Sequence, residues 1–274
     1  MIHPGPRAKD RALARRAHLV PVRGILPAGQ TVMQAVGALY AAHGCKGGVL
    51  SLDGLSCQPM RFVLPALSSD GVHAAWYSDT YAPDGLWTID KSTATIGMKD
   101  AAPFLHCHGI WTDGTRTSMG HLLPLDAVIA RDTEVAGLGS AHAWFEALPD
   151  PETAFTLFTP QSSTETGKSL FVRLLPDEDV VQSIEGVAAA YGISHARLHA
   201  VGSIDHIRFA EGHRMDCLAT ELRFNHATLI DGAASITIDV VDIDGNISHG
   251  TLLRGENPVG VTLELIVEVE GTNE

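Results

Sequence analysis

The sequence predicts an α+β protein in which one strand–helix–strand–hairpin unit is written twice in tandem. Three observations carry this. Residues 19–48 read as strand, a Pro27-Ala28-Gly29 break, helix and then Gly44, and residues 170–195 repeat the order as strand, Pro176-Asp177-Glu178, helix and Gly192. Gly44 and Gly54 are ten residues apart, and so are Gly192 and Gly202. Thr112-Asp113-Gly114 and Gly120-His121-Leu122-Leu123 are answered by Ile243-Asp244-Gly245 and Gly250-Thr251-Leu252-Leu253. Self-similarity of this kind sets the domain organisation before any single element is assigned.

Each element then follows from local chemistry. The first helix carries Val32, Val36, Leu39 and Tyr40 at helical spacing, and the second carries Val180, Ile184, Val187, Ala188 and Tyr191. Each buries one face and stops at a Gly able to take the left-handed conformation. Met60-Arg61-Phe62 matches Ile207-Arg208-Phe209. The offset between the halves falls from 148 at the glycines to 131 at the hairpin turn, so the first unit holds 17 extra residues, assigned to 64–86. That insertion contains Trp76, Tyr77 and Tyr81 and is either a cover over a substrate or a packing insert. The last strand alternates Val259, Val261, Leu263, Leu265, Val267 and Val269, the pattern of a half-buried strand. The division is a basic N-terminal head at 1–17, a first unit at 18–148, a turn-rich linker at 149–168 and a second unit at 169–274.

Composition bounds the function. An apolar content of 45% over 274 residues is that of a folded chain of two ordinary domains. No apolar run is long enough to cross a bilayer, and the first residues lack the apolar core of a signal peptide. Cys45, Cys57, Cys107 and Cys217 show no Cys-x-x-Cys spacing and no disulfide framework, which points to a reducing cytoplasm. Cys57 reads as a small buried hydrophobe rather than a nucleophile. The net charge is −13. Residues 1–24 hold six bases against Asp10, or +5, leaving −18 on the remainder. Such a body repels a phosphate backbone, so nucleic acid is disfavoured as a partner. The head itself reads as a solvated tail or a leading helical turn, with a small nucleic-acid arm as the alternative. No P-loop, dinucleotide fingerprint or Ser-His-Asp order is present.

The chemistry concentrates in Leu105-His106-Cys107-His108 and His121. Asp113-Gly114 is a two-residue turn signal. With that turn at the centre, paired residue numbers sum to 227. His106 then stands opposite His121, His108 lies two residues along on the same face, and Cys107 points away. Three imidazoles on one face make an open zinc site, with the fourth position left for water or substrate. Iron, nickel and manganese also accept imidazole. Against this stands a polar sheet face, or the remnant of a lost site, in a chain with 14 His. The second unit lacks the set: His106 aligns with Thr237, His108 with Asp239 and His121 with Thr251. The candidate catalytic residues are Glu134 and Arg61. Glu134 follows the hairpin on a neighbouring strand, aligns with Gly260, and is either a proton carrier or a solvated strand residue. Arg61 could clamp a carboxylate in two-pronged fashion, but Arg208 recurs in the unit without a site, which favours a structural ion pair.

Leu174-Leu175-Pro176-Asp177-Glu178-Asp179-Val180, Gly192, Ala200-Val201-Gly202-Ser203-Ile204 and the closing hairpin resemble the plant-and-prokaryote conserved (PPC) domain. In the first half, Leu105-His106-Cys107-His108, Asp113-Gly114, Gly120-His121-Leu122-Leu123 and Thr133-Glu134-Val135 resemble it as well. The resemblance implies two units, each a bent, mainly antiparallel sheet with one packed helix, and a homo-oligomer, expected as a trimer. It also brings a DNA-binding or regulatory, non-catalytic reading as the alternative to an enzyme. The Arg-Gly-Arg-Pro hook of plant members is missing here, so the DNA-binding reading transfers poorly. The fold is similar to that of α-acetolactate decarboxylase, whose His-x-His plus later His bind zinc. The matching residues are His106, His108 and His121. That enzyme's site lies in its second unit, whereas the matching residues here lie in the first. The resemblance implies a zinc-dependent lyase or hydrolase acting on a small oxygenated acid.

Overall fold

The computed structural model describes residues 1–269 of the chain. Its regular elements begin with β1 (Ala12–Ala17), β2 (Val20–Leu26), α1 (Val32–Ala42) and β3 (Gly47–Ser51). A meander follows, of β4 (Trp87–Lys99), β5 (Ala102–Thr112) and β6 (Thr117–Leu122), and then β7 (Thr133–Ser140), which returns to pair between β2 and β3. Then come β8 (Ala143–Pro149) and β9 (Thr156–Ser162). The second half holds β10 (Ser169–Leu174), α2 (Val180–Tyr191), β11 (Ala196–Ile204), β12 (Glu221–Ile230), β13 (Ala233–Val241), β14 (Ile247–Thr251) and β15 (Val259–Glu268).

Both helices begin and end by side-chain chemistry. Thr31 caps α1 in a reciprocal box with Gln34, and Asp179 caps α2 by accepting from the Gln182 N–H. Gly44, with φ 66°, and Gly192, with φ 72°, supply the left-handed turns that release the chain.

The two sheets run in the same order. The first is β2-β7-β3-β4-β5-β6 and the second β10-β15-β11-β12-β13-β14, both antiparallel along these ladders. Val22, Val36, Tyr40 and Leu50 belong to the core under α1, and Val172, Ile184, Leu198 and Leu265 to the core under α2. The faces turned away from the helices meet each other. β11 packs on β4 and β5, and β12 packs on β4, β5 and β6. A third apolar cluster, including Val49, Phe145, Phe158, Phe171 and Ile266, joins the halves at one end.

Two expectations change. The last strand, β15, is buried on both faces: Leu263 and Leu265 face α2, while Thr262, Glu264 and Ile266 are equally buried on the side covered by the first sheet. The basic head is neither tail nor helical turn. Its residues 12–17 form β1, which pairs with β10 at the edge of the second sheet. Its charges are neutralised within the chain: Arg11 grips Glu152 with two N–H groups at 2.7 and 3.0 Å, Arg7 pairs with Glu178, and Arg15 with Glu165. The segment 149–168 contains β9, paired antiparallel with β8. Buried Arg173 reaches into the same segment, donating to Asp150 at 2.8 Å.

Candidate metal centre

β5 and β6 put alternate side chains on opposite faces. Leu105 and Cys107 enter the core beneath α1, and His106 and His108 face the second sheet. Burial pushes the Cys107 thiol pKa up and raises that of the Cys57 thiol to about 12, so neither is a thiolate at neutral pH. The β5–β6 ladder pairs His108, not His106, with His121. The turn is longer than two residues: Thr112 faces Thr117, and the Asp113 carboxylate accepts the N–H groups of Thr115 and Arg116. Paired numbers sum to 229 in consequence, and the three imidazoles still converge. Gly120 makes room for this, because a Cβ there would lie 2.4 Å from the Val63 carbonyl oxygen on the short strand that flanks β6.

One ring nitrogen from each of His106, His108 and His121 lies within 4.8 Å of the others. The outer nitrogens are fixed by the second sheet. The Leu222 carbonyl can only accept, so His108 Nδ1, 2.8 Å away, carries the proton and leaves Nε2 as a bare lone pair. His106 Nδ1 donates to Glu264 Oε1 at 2.9 Å, and Thr95 Oγ1 donates to Glu264 Oε2 at 2.5 Å. With both Nδ1 atoms so engaged, the two Nε2 atoms face each other at 3.0 Å. Two lone pairs that close repel unless a cation lies between them. A tetrahedral ion with bonds of about 2.0–2.1 Å separates its ligand nitrogens by about 3.3 Å, near the distance observed.

Electrostatics agree. Desolvation, then the neighbouring imidazoles, hold His108 well below the ordinary histidine pKa, and desolvation and His106 do the same for His121. Neutral imidazole is the ligating form. Glu221 Oε1 lies 4.0 Å from His108 Nε2 and 3.9 Å from His121 Nδ1. His121 Nδ1 and both Glu221 oxygens are buried without a hydrogen-bond partner. Buried polar atoms are rarely left so, and a missing ion is a standard reason when they are. Desolvation raises the Glu221 pKa well above the usual carboxylate value. The residues present therefore fit a divalent transition metal.

The triad opens into a cavity of about 300 Å³ between the two sheets. The 64–86 insertion takes part both in packing and in the cavity wall. Tyr81 stacks on Phe62 at 5.1 Å, which is packing. Trp76 and Tyr77, in a two-stranded hairpin with Pro65–Ala66, line the cavity, and the Tyr77 ring meets that of His121 edge-on at 5.2 Å.

Glu134 and Arg61 are not brought to the triad. Glu134 is exposed on β7, opposite Ile25 of β2. The Arg61 guanidinium donates to its neighbour's carbonyl, that of Met60, at 2.8 Å, and does not line the cavity. The carboxylates at the site are Glu221 and Glu264, both from the second sheet. Glu264 faces Arg173 of β10, and Ile25 and Arg173 are 148 residues apart, the offset of the paired glycines. Glu264, not Gly260, is thus the positional counterpart of Glu134. The signal was present in the sequence as an acid in the middle of an otherwise apolar last strand.

The matched segment of the chain can now be placed. The family model described as the Plants and Prokaryotes Conserved (PCC) domain matches residues 161–270. The match leaves out the histidine hairpin, so the matched segment contributes the carboxylates and the Leu222 carbonyl. Among solved structures, a metal-containing protein from Archaeoglobus fulgidus is similar at 16% identity and TM-score 0.42, over 53% of this chain and 96% of that one. A PPC protein from Pyrococcus horikoshii is similar at 15% identity and TM-score 0.38, over 56% and 96%. A protein provisionally described as DNA-binding from Ralstonia eutropha is similar at 18% identity and TM-score 0.38, over 51% and 89%. No curated protein matches the chain.

Proposed function

We propose that the chain is a metal-dependent enzyme of the lyase or hydrolase type, with zinc on His106, His108 and His121 and a small oxygenated acid as substrate. The observation that carries this is the meeting of His106 Nε2 and His108 Nε2 at 3.0 Å, with both outer nitrogens already committed as donors. Bound zinc would supply a Lewis acid and lower the pKa of bound water to about 7. Around it the chain's own groups have distinct tasks. Glu264 and Thr95 orient His106, and the Leu222 carbonyl fixes the tautomer of His108. Glu221 faces the open side of the triad with no other partner, placed to hold or return a proton at a reacting oxygen. The aromatic hairpin bearing Trp76 and Tyr77 screens that side from water.

The first test is metal content per chain, on protein made without a His tag, for the native chain and for His106→Ala/His121→Ala. One zinc, nickel or iron per native chain and none in the variant is the expected result. No metal in either, after incubation with each ion, removes the enzyme reading and leaves a regulatory binding protein. We further propose a homotrimer, on the resemblance to trimeric single-unit proteins. Sedimentation of the native chain as a monomer removes it.

A further inference from the structure

The walls of the triad cavity say more about its occupant than the triad does. Five aromatic rings line it: Trp76, Tyr77, Phe104, Phe155 and Phe158. They are arranged rather than scattered. Trp76 stacks on Phe155 at 5.4 Å, and Phe104 meets Phe158 edge-on at 6.2 Å. The hairpin of the first unit, the start of β5 and the segment between the units each supply part of this wall. His73 ties the hairpin to that segment through the Ala154 carbonyl and an edge contact with Phe155.

Glu221 and Glu264 stand beside the imidazoles, and the Glu264 carboxylate, which accepts from His106, repels any carboxylate that is not itself on the ion. No arginine lines the cavity, and its one cationic side chain is Lys99, whose ammonium sits over the Phe104 ring at 5.2 Å. A substrate that is polar throughout, such as a short hydroxy acid, would fill only the ion end and leave the aromatic walls wet. An apolar cavity of about 150 Å³ is enough for benzene, so about 300 Å³ takes an aryl ring with a short oxygenated chain.

Resting on the metal reading above, we propose that the site selects 2-hydroxy or 2-oxo acids bearing an aromatic side chain: the vicinal oxygens on the metal and the ring against the wall formed by Trp76, Phe155 and Phe158. The specificity-determining residues are then Trp76 and Phe155, which touch the ring and not the ion.

The test is calorimetric binding of 3-phenyllactate and lactate to the zinc-loaded native chain, to zinc-loaded Trp76→Ala and Phe155→Ala, and to His106→Ala/His121→Ala. Trp76 is 44% exposed on a two-residue strand, so its removal leaves the core intact. The expected result is at least tenfold tighter binding of 3-phenyllactate than of lactate. The preference should fall below threefold in both aromatic variants, and the histidine variant should bind neither compound. Equal affinities, binding of neither compound, or a preference that survives both aromatic substitutions, in a native chain that holds its zinc, overturns this inference and leaves the metal reading standing. A native chain that holds no metal overturns the metal reading, and this inference with it.

Discussion

The hairpins β5–β6 and β13–β14 occupy the same place in two sheets of the same strand order, and they treat their polar residues in opposite ways. On β13 and β14, Thr237 and Thr251 stand directly opposite with hydroxyls 3.4 Å apart. Asp239 pairs with buried Arg223, whose remaining N–H groups reach Thr93 and the Ser92 carbonyl across the sheets. The ladder sets His249 opposite Asp239 as His121 stands opposite His108, but His249 is exposed. The polar groups there are paired among themselves and hold the sheets together. On β5 and β6 the corresponding surface ends in nitrogens facing nitrogens and a ring nitrogen with no partner, set against a carboxylate of β12 that has none. Since an unpaired buried polar group costs about 1–3 kcal/mol, a hairpin that keeps several is held for what it binds. Satisfaction, more than residue type, separates the scaffold from the site.

Substitutions on the two hairpins should therefore fail differently. Asp239→Ala strands the Arg223 guanidinium in the interior and should cost about 3–5 kcal/mol in denaturant unfolding, with metal content per folded chain unchanged. His108→Ala should abolish metal uptake with a smaller loss of metal-free stability, since a neutral side chain is removed and no charge is stranded. Equal losses of stability in the two would erase the distinction.

Asp150 sharpens the comparison from the scaffold side. Burial works against its charge, yet Arg173 and the bonds from Thr153 hold its pKa below the ordinary aspartate value. A depressed folded pKa gives stability that is full above the unfolded value, near about 3.9, and is lost as pH falls through the folded one. Asp150→Asn should cost about 1.5–3 kcal/mol at pH 7, and the gap from the native chain should narrow below about pH 4 in parallel acid melts. A gap independent of pH would show that the pair is not the source.

The smallest expected effect is at the join between scaffold and site. Glu264→Gln keeps the shape but weakens the acceptor for His106, and should lower zinc affinity about 10–100-fold by chelator competition with little change in melting temperature. Unchanged affinity would mean that Glu264 does not orient the ligand.

Much of this was legible in the residues. Helical spacing and the terminal glycines place α1 and α2, and the His-x-His with a later His across a hairpin brings the ligand set together even with the turn miscounted by two. What the pattern could not carry was the second face of each strand. Alternation in Val259–Val269 is the same whether the polar side meets water or another sheet, so Glu264 read as solvent-facing. Glu134, at the matching place in the first sheet, is the one that is exposed. Arg61 has the chemistry of a carboxylate clamp, but its guanidinium is engaged with the neighbouring carbonyl. The contacts that complete the site join residues 114 and 158 positions apart, His108 to Leu222 and His106 to Glu264, beyond any local rule.

On the metal reading proposed above, those two long-range contacts would make metallation and closure of the sheets a single coupled equilibrium. The imidazoles belong to one half and the groups that aim them to the other, so docking of the halves raises affinity for the ion. By reciprocity the ion must strengthen docking by the same factor. At a hundredfold excess over its dissociation constant, a ligand confined to the closed form contributes about 2.7 kcal/mol. In that sense the ion is a thermodynamic clasp, and the protein's grip on itself reports whether the metal has been loaded.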